Sequence, residues 1–265
     1  METLNRELFL EEFQNKGFYV QERAVPMNLV DRLRVDLFEA VEREAAFHGT
    51  LDHKDYGMLL ACPIYGGAFL ELLEYNEYFL PFDLVLGPNS IIYVYTSSCM
   101  PPHGKNYTSR IHVDRPHYNP GFVDSMGSLL LLDDFTENNG ATWVLPMSHL
   151  KEEKPDEEYF YANASRIIAP KGSIFYFNLR LWHAGGVNMS YEWRNAIGIG
   201  MVRPYLKQRI DLPLALEKSG VDLTALSYSA KQRLGFYSIP PASLEEYYLP
   251  EHLRSYCQTS EWGIS

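Results

Sequence analysis

Residues 173–204, with the sequence SIFYFNLRLWHAGGVNMSYEWRNAIGIGMVRP, decide the fold. Apolar segments at 173–179 and 194–204 have the length and composition of β-strands, and turn-forming residues lie between them. From about residue 90 onward the chain repeats such segments with a two-residue period. The further strand candidates are 91–98, 109–114, 128–135, 141–146 and 165–170. Short strands separated by Gly, Pro, Asn and Asp clusters predict an antiparallel sandwich or barrel, and favour a double-stranded β-helix, that is, a jelly-roll or cupin-like fold.

Helices are predicted on both sides of this β-rich part, so the expected class is mainly β with flanking α. Residues 6–47 have helical periodicity, and a further short helix is predicted within residues 66–79. One apolar stripe of the long helix consists of Leu29, Leu33, Leu37 and Val41. We expect a single domain over 1–265, with a jelly-roll core at about 90–204 and a lid or interface at 205–265.

The composition favours a globular protein and excludes several kinds of partner. Of 265 residues, 46% are apolar, and 23 Lys and Arg stand against 34 Asp and Glu, for a net charge of −11. Nucleic acids and anionic membrane surfaces bind clustered Lys and Arg, so neither is an expected partner. Cys62, Cys99 and Cys257 form no metal-binding or redox motif. The sequence shows no signal peptide or transmembrane segment, so we expect a cytoplasmic protein with reduced thiols.

Two short motifs carry residue types that bind metals. In SRIHVDRPH, residues 109–117, a strand would place His112 and Asp114 side by side on one face. His-x-Asp alone is common by chance. His183 ends an apolar strand, where a lone His is more often a hydrogen-bonded core residue than a ligand. Together, however, two imidazoles and a carboxylate match the facial triad of non-haem Fe(II) oxygenases, which leaves coordination positions open.

The last predicted strand adds a cation to this set. Arg194, Ala196, Gly198 and Gly200 share one of its faces. Glycine within a strand often marks the close approach of a ligand. A bare face with a guanidinium at its end predicts a pocket for a small carboxylate, which Arg can bind through two parallel hydrogen bonds.

These motifs, in this order, resemble the phytanoyl-CoA dioxygenase family of Fe(II)/2-oxoglutarate oxygenases. The resemblance extends over about residues 7–240. The segments that carry it are FLEEFQNKGFYVQERAVPMNLVDRLR at 9–34, HVD at 112–114, LLLLDDFTENNGATWVLPMSHL at 129–150, HAGGVNMSYEWR at 183–194 and SAKQRLGFYSIPP at 229–241.

The resemblance implies roles for individual residues. His112, Asp114 and His183 would hold Fe(II), and Arg194 would pair with the distal carboxylate of 2-oxoglutarate. The implied reaction is the oxidation of a C–H bond of a small-molecule substrate by O2, with release of succinate and CO2. Hydroxylation is favoured because halogenating relatives lack the carboxylate of Asp114. Desaturation, epoxidation and ring closure stay open.

Two positions depart from the family pattern. Gly185 stands where many relatives have Ser or Thr, and Val113 stands where some have Gln. Other side chains must therefore help to hold 2-oxoglutarate. The candidates are Tyr93, Tyr95 and Ser97, which would share one face of the preceding strand, and more weakly Trp143 and Asn106.

Other interpretations stay open beside this one. The same scaffold could act on an acyl chain carried by CoA or a carrier protein, or could be a binding protein without redox chemistry. We expect a monomer or a homodimer, with 245–248 as a candidate dimer contact. Residues 151–158 are interpreted as a solvated loop. Loop, turn or anchoring roles are expected for His103, His117, Asp133, Asp134 and His149.

Overall fold

The computed structural model describes residues 3–48, 56–250 and 253. Its strands are β1 (Phe18–Gln21), β2 (Ile91–Met100), β3 (Ser125–Leu131), β4 (Trp143–Val144), β5 (Ser165–Arg166), β6 (Ile174–Asn178), β7 (His183–Ala184) and β8 (Arg194–Val202). Its α-helices are α1 (Arg6–Lys16), α2 (Met27–His48), α3 (Gly67–Glu74), α4 (Asn76–Leu86), α5 (Glu157–Asn163), α6 (Leu212–Ser219), α7 (Tyr228–Leu234) and α8 (Leu244–Tyr247).

Two antiparallel sheets form the centre of the fold. The larger has the order β1-β6-β3-β8-β2, and the smaller has the order β5-β4-β7. They enclose a common core, because Leu131, Phe175 and Ala196 of the larger sheet pack in one cluster with Val144 of the smaller sheet. Two facing antiparallel sheets of this kind confirm the predicted jelly-roll class.

Helices cover the other face of the larger sheet. Because side chains alternate along a strand, Ile197 and Ile199 of β8 point to this face. They belong to one buried cluster with residues of α1 to α4, among them Phe9 and Phe69. The apolar stripe predicted for α2 lies in the same cluster. The sheet is therefore buried on both faces, which explains why β8 is buried along its whole length.

Residues 109–114 do not form the predicted strand. His112 makes an isolated antiparallel bridge to His183. Two residues later, the N–H groups of Asp114 and Arg115 donate to the same carbonyl oxygen, that of the residue after β6. Both bonds to one acceptor turn the chain, so a ladder cannot continue.

The helix predicted within 66–79 is two helices, because Tyr75 between α3 and α4 has a non-helical ψ of 86°. The Tyr75 hydroxyl donates to the carbonyl of Ala24, which holds the break in place. The end of the predicted region 205–265, including Cys257, lies outside the described residues. No helix in the described part of the chain is both long and apolar enough to cross a membrane.

Candidate metal centre

The sheet topology brings two histidines together that are far apart in sequence. The N–H of His112 donates to the carbonyl of His183 at 3.0 Å, and the N–H of His183 donates to the carbonyl of His112 at 2.9 Å. This reciprocal pair fixes the two backbones side by side, and the ring centroids lie 4.2 Å apart. Asp114 follows two residues after the bridge, so its carboxylate reaches the same space.

The three side chains present their free atoms to one another. His112 Nε2 lies 3.5 Å from Asp114 Oδ1, and His183 Nε2 lies 3.9 Å from Asp114 Oδ2. One ligand atom from each residue falls within 4.8 Å of the others. This is the two-imidazole, one-carboxylate donor set of a facial triad, so the residues fit a divalent metal such as Fe(II).

Backbone carbonyls hold both imidazoles in the orientation that a metal needs. Nδ1 of His112 lies 2.7 Å from the carbonyl oxygen of Arg110, and Nδ1 of His183 lies 2.9 Å from that of Leu181. A carbonyl only accepts, so each Nδ1 carries the proton and each Nε2 keeps its lone pair. Such outer hydrogen bonds fix the tautomer and direction of metal-binding histidines.

The electrostatics give the protonation states that metal binding requires. Burial, and then the nearby His112, lower the pKa of His183 to about 4. Desolvation acts to raise the pKa of Asp114, but the electrostatic influence of the neighbouring His183 and His112 outweighs it, so this pKa is lowered. Near neutral pH His183 is thus neutral and Asp114 is ionised. The Asp114 side chain is 41% exposed and that of His183 only 9%, so the centre opens to solvent on the Asp114 side.

Arg194 is a buried cation that forms no ion pair within the described part of the chain. It begins β8 opposite Met100, is 2% exposed, and its guanidinium carbon lies 4.3 Å from the centroid of the Phe135 ring. Burial lowers its pKa to about 10, which still leaves it charged at neutral pH. Its Nε is buried and has no hydrogen-bond partner among the described residues. A buried unpaired donor is costly, so the site fits an incoming carboxylate.

Asp133, the acid that influences Arg194, is occupied by other partners. Its carboxylate accepts from the backbone N–H of Asn195 at 2.9 Å, from its Nδ2 at 2.7 Å, and from Arg34 Nε at 3.0 Å. Asp133 therefore ties α2 to β8, beyond the turn role that the sequence predicts. It leaves the guanidinium of Arg194 available to a ligand.

Side chains of β2 lie close to the glycines on the face of β8 that carries Arg194. A Cβ atom at Gly198 would lie 3.0 Å from Thr96 Cγ2, and one at Gly200 would lie 3.2 Å from Val94 Cγ1. The glycines let side chains of β2 approach closely. Val94 and Thr96 are only half-buried, so a pocket over this face stays a prediction, and its Arg194 end carries the charged group.

Two predicted pocket residues of β2 face away from Arg194. The Tyr95 hydroxyl donates to the carbonyl of Phe69 at 3.1 Å, and the Ser97 hydroxyl donates to that of Gly57 at 2.7 Å. Both side chains therefore lie on the helix side of the sheet. The bulge between Ile92 and Val94 shifts the alternation. Tyr93 consequently lies on the same face as Arg194, where it approaches Gly200.

Trp143 also points away from the triad. It pairs with Ala184 in the small sheet, whereas Val144 pairs with His183. Paired residues share a face, so Trp143 lies on the outer side, where the Arg166 guanidinium lies 4.4 Å from its ring.

The predicted candidate Asn106 stabilises the loop that carries it. Its Nδ2 donates to the carbonyl of Cys99 at 3.0 Å, and its Oδ1 accepts two hydrogen bonds from Thr108.

Sequence motifs do not reveal two aromatic residues of the site. Phe177 packs its ring edge-on to His183, with centroids 5.3 Å apart, and Phe135 lies beneath Arg194. In the sequence they are ordinary apolar residues of a strand and of a turn, and no motif distinguishes them.

For His149 the sequence predicts an anchoring role at a turn, and its Nε2 lies 3.2 Å from the carbonyl oxygen of Gln14 in α1.

Fold and site together define a jelly-roll protein with a His-Asp-His triad that can hold a metal. The model of the phytanoyl-CoA dioxygenase (PhyH) family matches residues 13–196. The chain belongs to this family, which supports a general dioxygenase role.

The chain also resembles two curated proteins in sequence and several solved structures in fold. The chain is 34% identical over 209 residues to the uncharacterized proteins Mb1539 of Mycobacterium bovis and Rv1501 of Mycobacterium tuberculosis, covering 76% of this chain and 75% of each relative. The crystal structure of AviO1 from Streptomyces viridochromogenes Tue57 has a TM-score of 0.63 at 20% identity, over 78% of this chain and 99% of that one. SnoN, a non-heme alpha ketoglutarate dependent epimerase from nogalamycin biosynthesis, has a TM-score of 0.59 at 12% identity, over 74% and 82%.

Proposed function

We propose that this protein is an Fe(II)- and 2-oxoglutarate-dependent dioxygenase that oxidises an unactivated C–H bond of a small organic metabolite, most simply by hydroxylation. One observation carries the proposal. The convergence of His112, Asp114 and His183 is combined with a buried Arg194 whose Nε has no partner among the described residues. A metal triad alone would fit many metalloproteins, and the added cation accounts for an anionic co-substrate.

Each residue has a defined task in this proposal. His112, Asp114 and His183 bind the iron, and the carbonyls of Arg110 and Leu181 keep the imidazoles aimed at it. When bound, iron with 2-oxoglutarate and O2 supplies the oxidising chemistry, and succinate and CO2 are released. Arg194 holds the distal carboxylate through charge-assisted hydrogen bonds. Its burial between the sheets excludes the water that would weaken this interaction.

The substrate proposed is a free metabolite or a natural-product intermediate. The net charge of −11 disfavours polyphosphate and nucleic-acid ligands. The likeness in fold to SnoN, an epimerase from nogalamycin biosynthesis, supports a natural-product substrate by analogy. A carrier-linked acyl substrate is the second candidate, and the PhyH family name, which refers to an acyl-CoA, favours it. Tighter binding of the CoA-linked acid than of the free acid would support the second candidate.

Oxygen-dependent release of succinate tests the proposal. Purified protein with Fe(II), 2-oxoglutarate and pools of metabolites should release succinate with one pool, and the product should gain one oxygen atom if the outcome is hydroxylation. Loss of two hydrogens would indicate desaturation or ring closure. His112→Ala, Asp114→Ala and His183→Ala should each abolish release, whereas the matched control His103→Ala should keep it. Normal turnover in all three triad variants would refute the proposal.

A further inference from the structure

Thr108 occupies the space that a side chain at position 185 would need. A Cβ atom at Gly185 would lie 2.6 Å from Thr108 Oγ1 and 3.0 Å from Met100 Cε. The Gly185 N–H donates to the carbonyl of Thr108 at 2.8 Å, which fixes the two chain segments against each other. Gly185 lies two residues after His183, so by strand alternation this space is on the His183 side of the small sheet.

The same space reaches the Arg194 end of β8. Met100, whose methyl group lies beside the position of that Cβ, pairs directly with Arg194 and shares its face. The loop that carries Thr108 is tied to the adjoining residue of β2, because Asn106 donates to the carbonyl of Cys99 at 3.0 Å. The hydroxyl of Thr108 is therefore held near the Met100 side chain, which lies on the same face of the sheet as Arg194.

The hydrogen bonds of Thr108 allow its hydroxyl to serve a ligand. Thr108 Oγ1 donates to Asn106 Oδ1 at 2.6 Å. The same Oδ1 also accepts the backbone N–H of Thr108 at 3.0 Å. Asn106 Oδ1 would therefore still accept the Thr108 backbone N–H if the hydroxyl donated to another acceptor. A carboxylate is a stronger acceptor than the amide oxygen of Asn106.

We propose that the Thr108 hydroxyl, and not a side chain at position 185, is the second group beside Arg194 that positions the distal carboxylate of 2-oxoglutarate. This inference rests on the proposed function. The inference also explains why position 185 is a glycine, since a larger residue there would collide with Thr108. Thr108 is a positioning residue that acts on the co-substrate and leaves the binding of iron to the triad.

Anaerobic calorimetry on the Fe(II)-loaded protein tests this with two ligands. The first is 2-oxoglutarate, and the second is 2-oxopentanoate, which has the same keto-acid end but no distal carboxylate. Thr108→Ala should lower the affinity for 2-oxoglutarate about tenfold, which is the effect of one lost hydrogen bond to a charged group. The affinity for 2-oxopentanoate should stay within about twofold of that of the unaltered protein. Thr108→Ser, which keeps the hydroxyl, should bind both ligands as the natural protein does.

A second variant separates ligand contact from loop support. Thr108→Ala combined with Gly185→Ser moves the hydroxyl to the other segment without restoring the bond to Asn106, and it should recover most of the lost affinity. The inference would be overturned if Thr108→Ala lowered the affinity for both ligands equally, or did not lower the affinity for 2-oxoglutarate at all. Either result would leave the proposed function standing. If the unaltered protein binds no 2-oxoglutarate, the proposed function itself fails. Melting curves confirm that each variant is folded.

Discussion

Arg194 is a buried cation without an ion-pair partner among the described residues. A guanidinium that is 2% exposed, with a buried Nε that lacks a partner among the described residues, loses hydration without a matching gain from a counter-ion. The Phe135 ring beneath it recovers part of this cost through a cation–π contact. The protein therefore gives up stability at this position, and a carboxylate would restore the missing interaction.

Replacing this arginine should separate stability from binding. Arg194→Met keeps much of the volume and removes the buried charge, so we expect the free energy of unfolding to be unchanged or higher by about 1–4 kcal/mol. Affinity for 2-oxoglutarate should fall at least about tenfold, while Fe(II) affinity stays the same. Chemical denaturation and calorimetry measure both quantities. A variant that is clearly less stable and binds 2-oxoglutarate normally would contradict this account.

His149 makes stability depend on pH. Burial lowers its pKa from the usual value of 6.5, and the bond to the Gln14 carbonyl only partly opposes this. As pH falls, the unfolded chain takes up the proton before the folded chain does. Folding stability linked to His149 is therefore fully present above about pH 6.5 and is lost progressively below it.

A substitution at this histidine should flatten the acid side of the stability curve. Both His149→Gln and the unaltered protein are unfolded in urea with chelator present, so that His183 contributes equally to each. Between about pH 7.5 and about pH 5.5 the unaltered protein should lose more free energy of unfolding than the variant. Parallel curves for the two proteins would show that His149 does not titrate as described.

At the scale of elements, the junction of α1 and β1 supports the segment that leads to the triad. Gly17 ends α1 with φ 88°, and its carbonyl accepts the N–H of Asn178 at 2.9 Å, at the end of β6. A Cβ atom at Gly17 would collide with the His149 ring and approach Leu181 Cδ1 to 2.9 Å. The helix end, the His149 turn and the strand before His183 are thus packed against one another.

A pair of matched glycines tests this packing. Gly17 and Gly220 both follow a helix with left-handed backbone, at φ 88° and 71°, but a Cβ at Gly220 would meet no atom of the described residues within 4 Å. Gly220→Ala should cost about 1 kcal/mol from backbone strain alone, and Gly17→Ala about 2–4 kcal/mol because a clash is added. Thermal and urea unfolding compare the two. Equal losses in the free energy of unfolding would mean that the His149 ring moves aside at no energetic cost.

Sequence periodicity predicts most elements, and the misses have local causes. The strands at β2, β6 and β8 lie where apolar segments with turn boundaries place them. The bulge in β2 was not predictable, because it depends on the register with β8, and it decides that Tyr95 and Ser97 face the helices while Tyr93 does not. Residues 109–114 have strand-like composition, yet hydrogen bonds to a distant carbonyl bend the chain after the bridge.

At the scale of the whole molecule, the triad depends on closure of the jelly roll. His112 and His183 lie 71 positions apart and meet through their reciprocal backbone bonds. The sequence motifs single out four polar side chains, because metal ligands and a carboxylate-binding Arg must be specific residue types. The structure brings three of them together, His112, Asp114 and His183. The motifs could not predict Phe135, Phe177 or the contact between Gly185 and Thr108, which follow from how the two sheets and their loops pack.

The most direct test of the central claim is the visible absorption spectrum of the protein with Fe(II) and 2-oxoglutarate in the absence of O2. If the triad holds iron and Arg194 seats the co-substrate, a weak charge-transfer band should appear that saturates at one iron per chain. It should be absent in His183→Ala. A folded, unaltered protein that gives no band and binds neither Fe(II) nor 2-oxoglutarate would contradict the account.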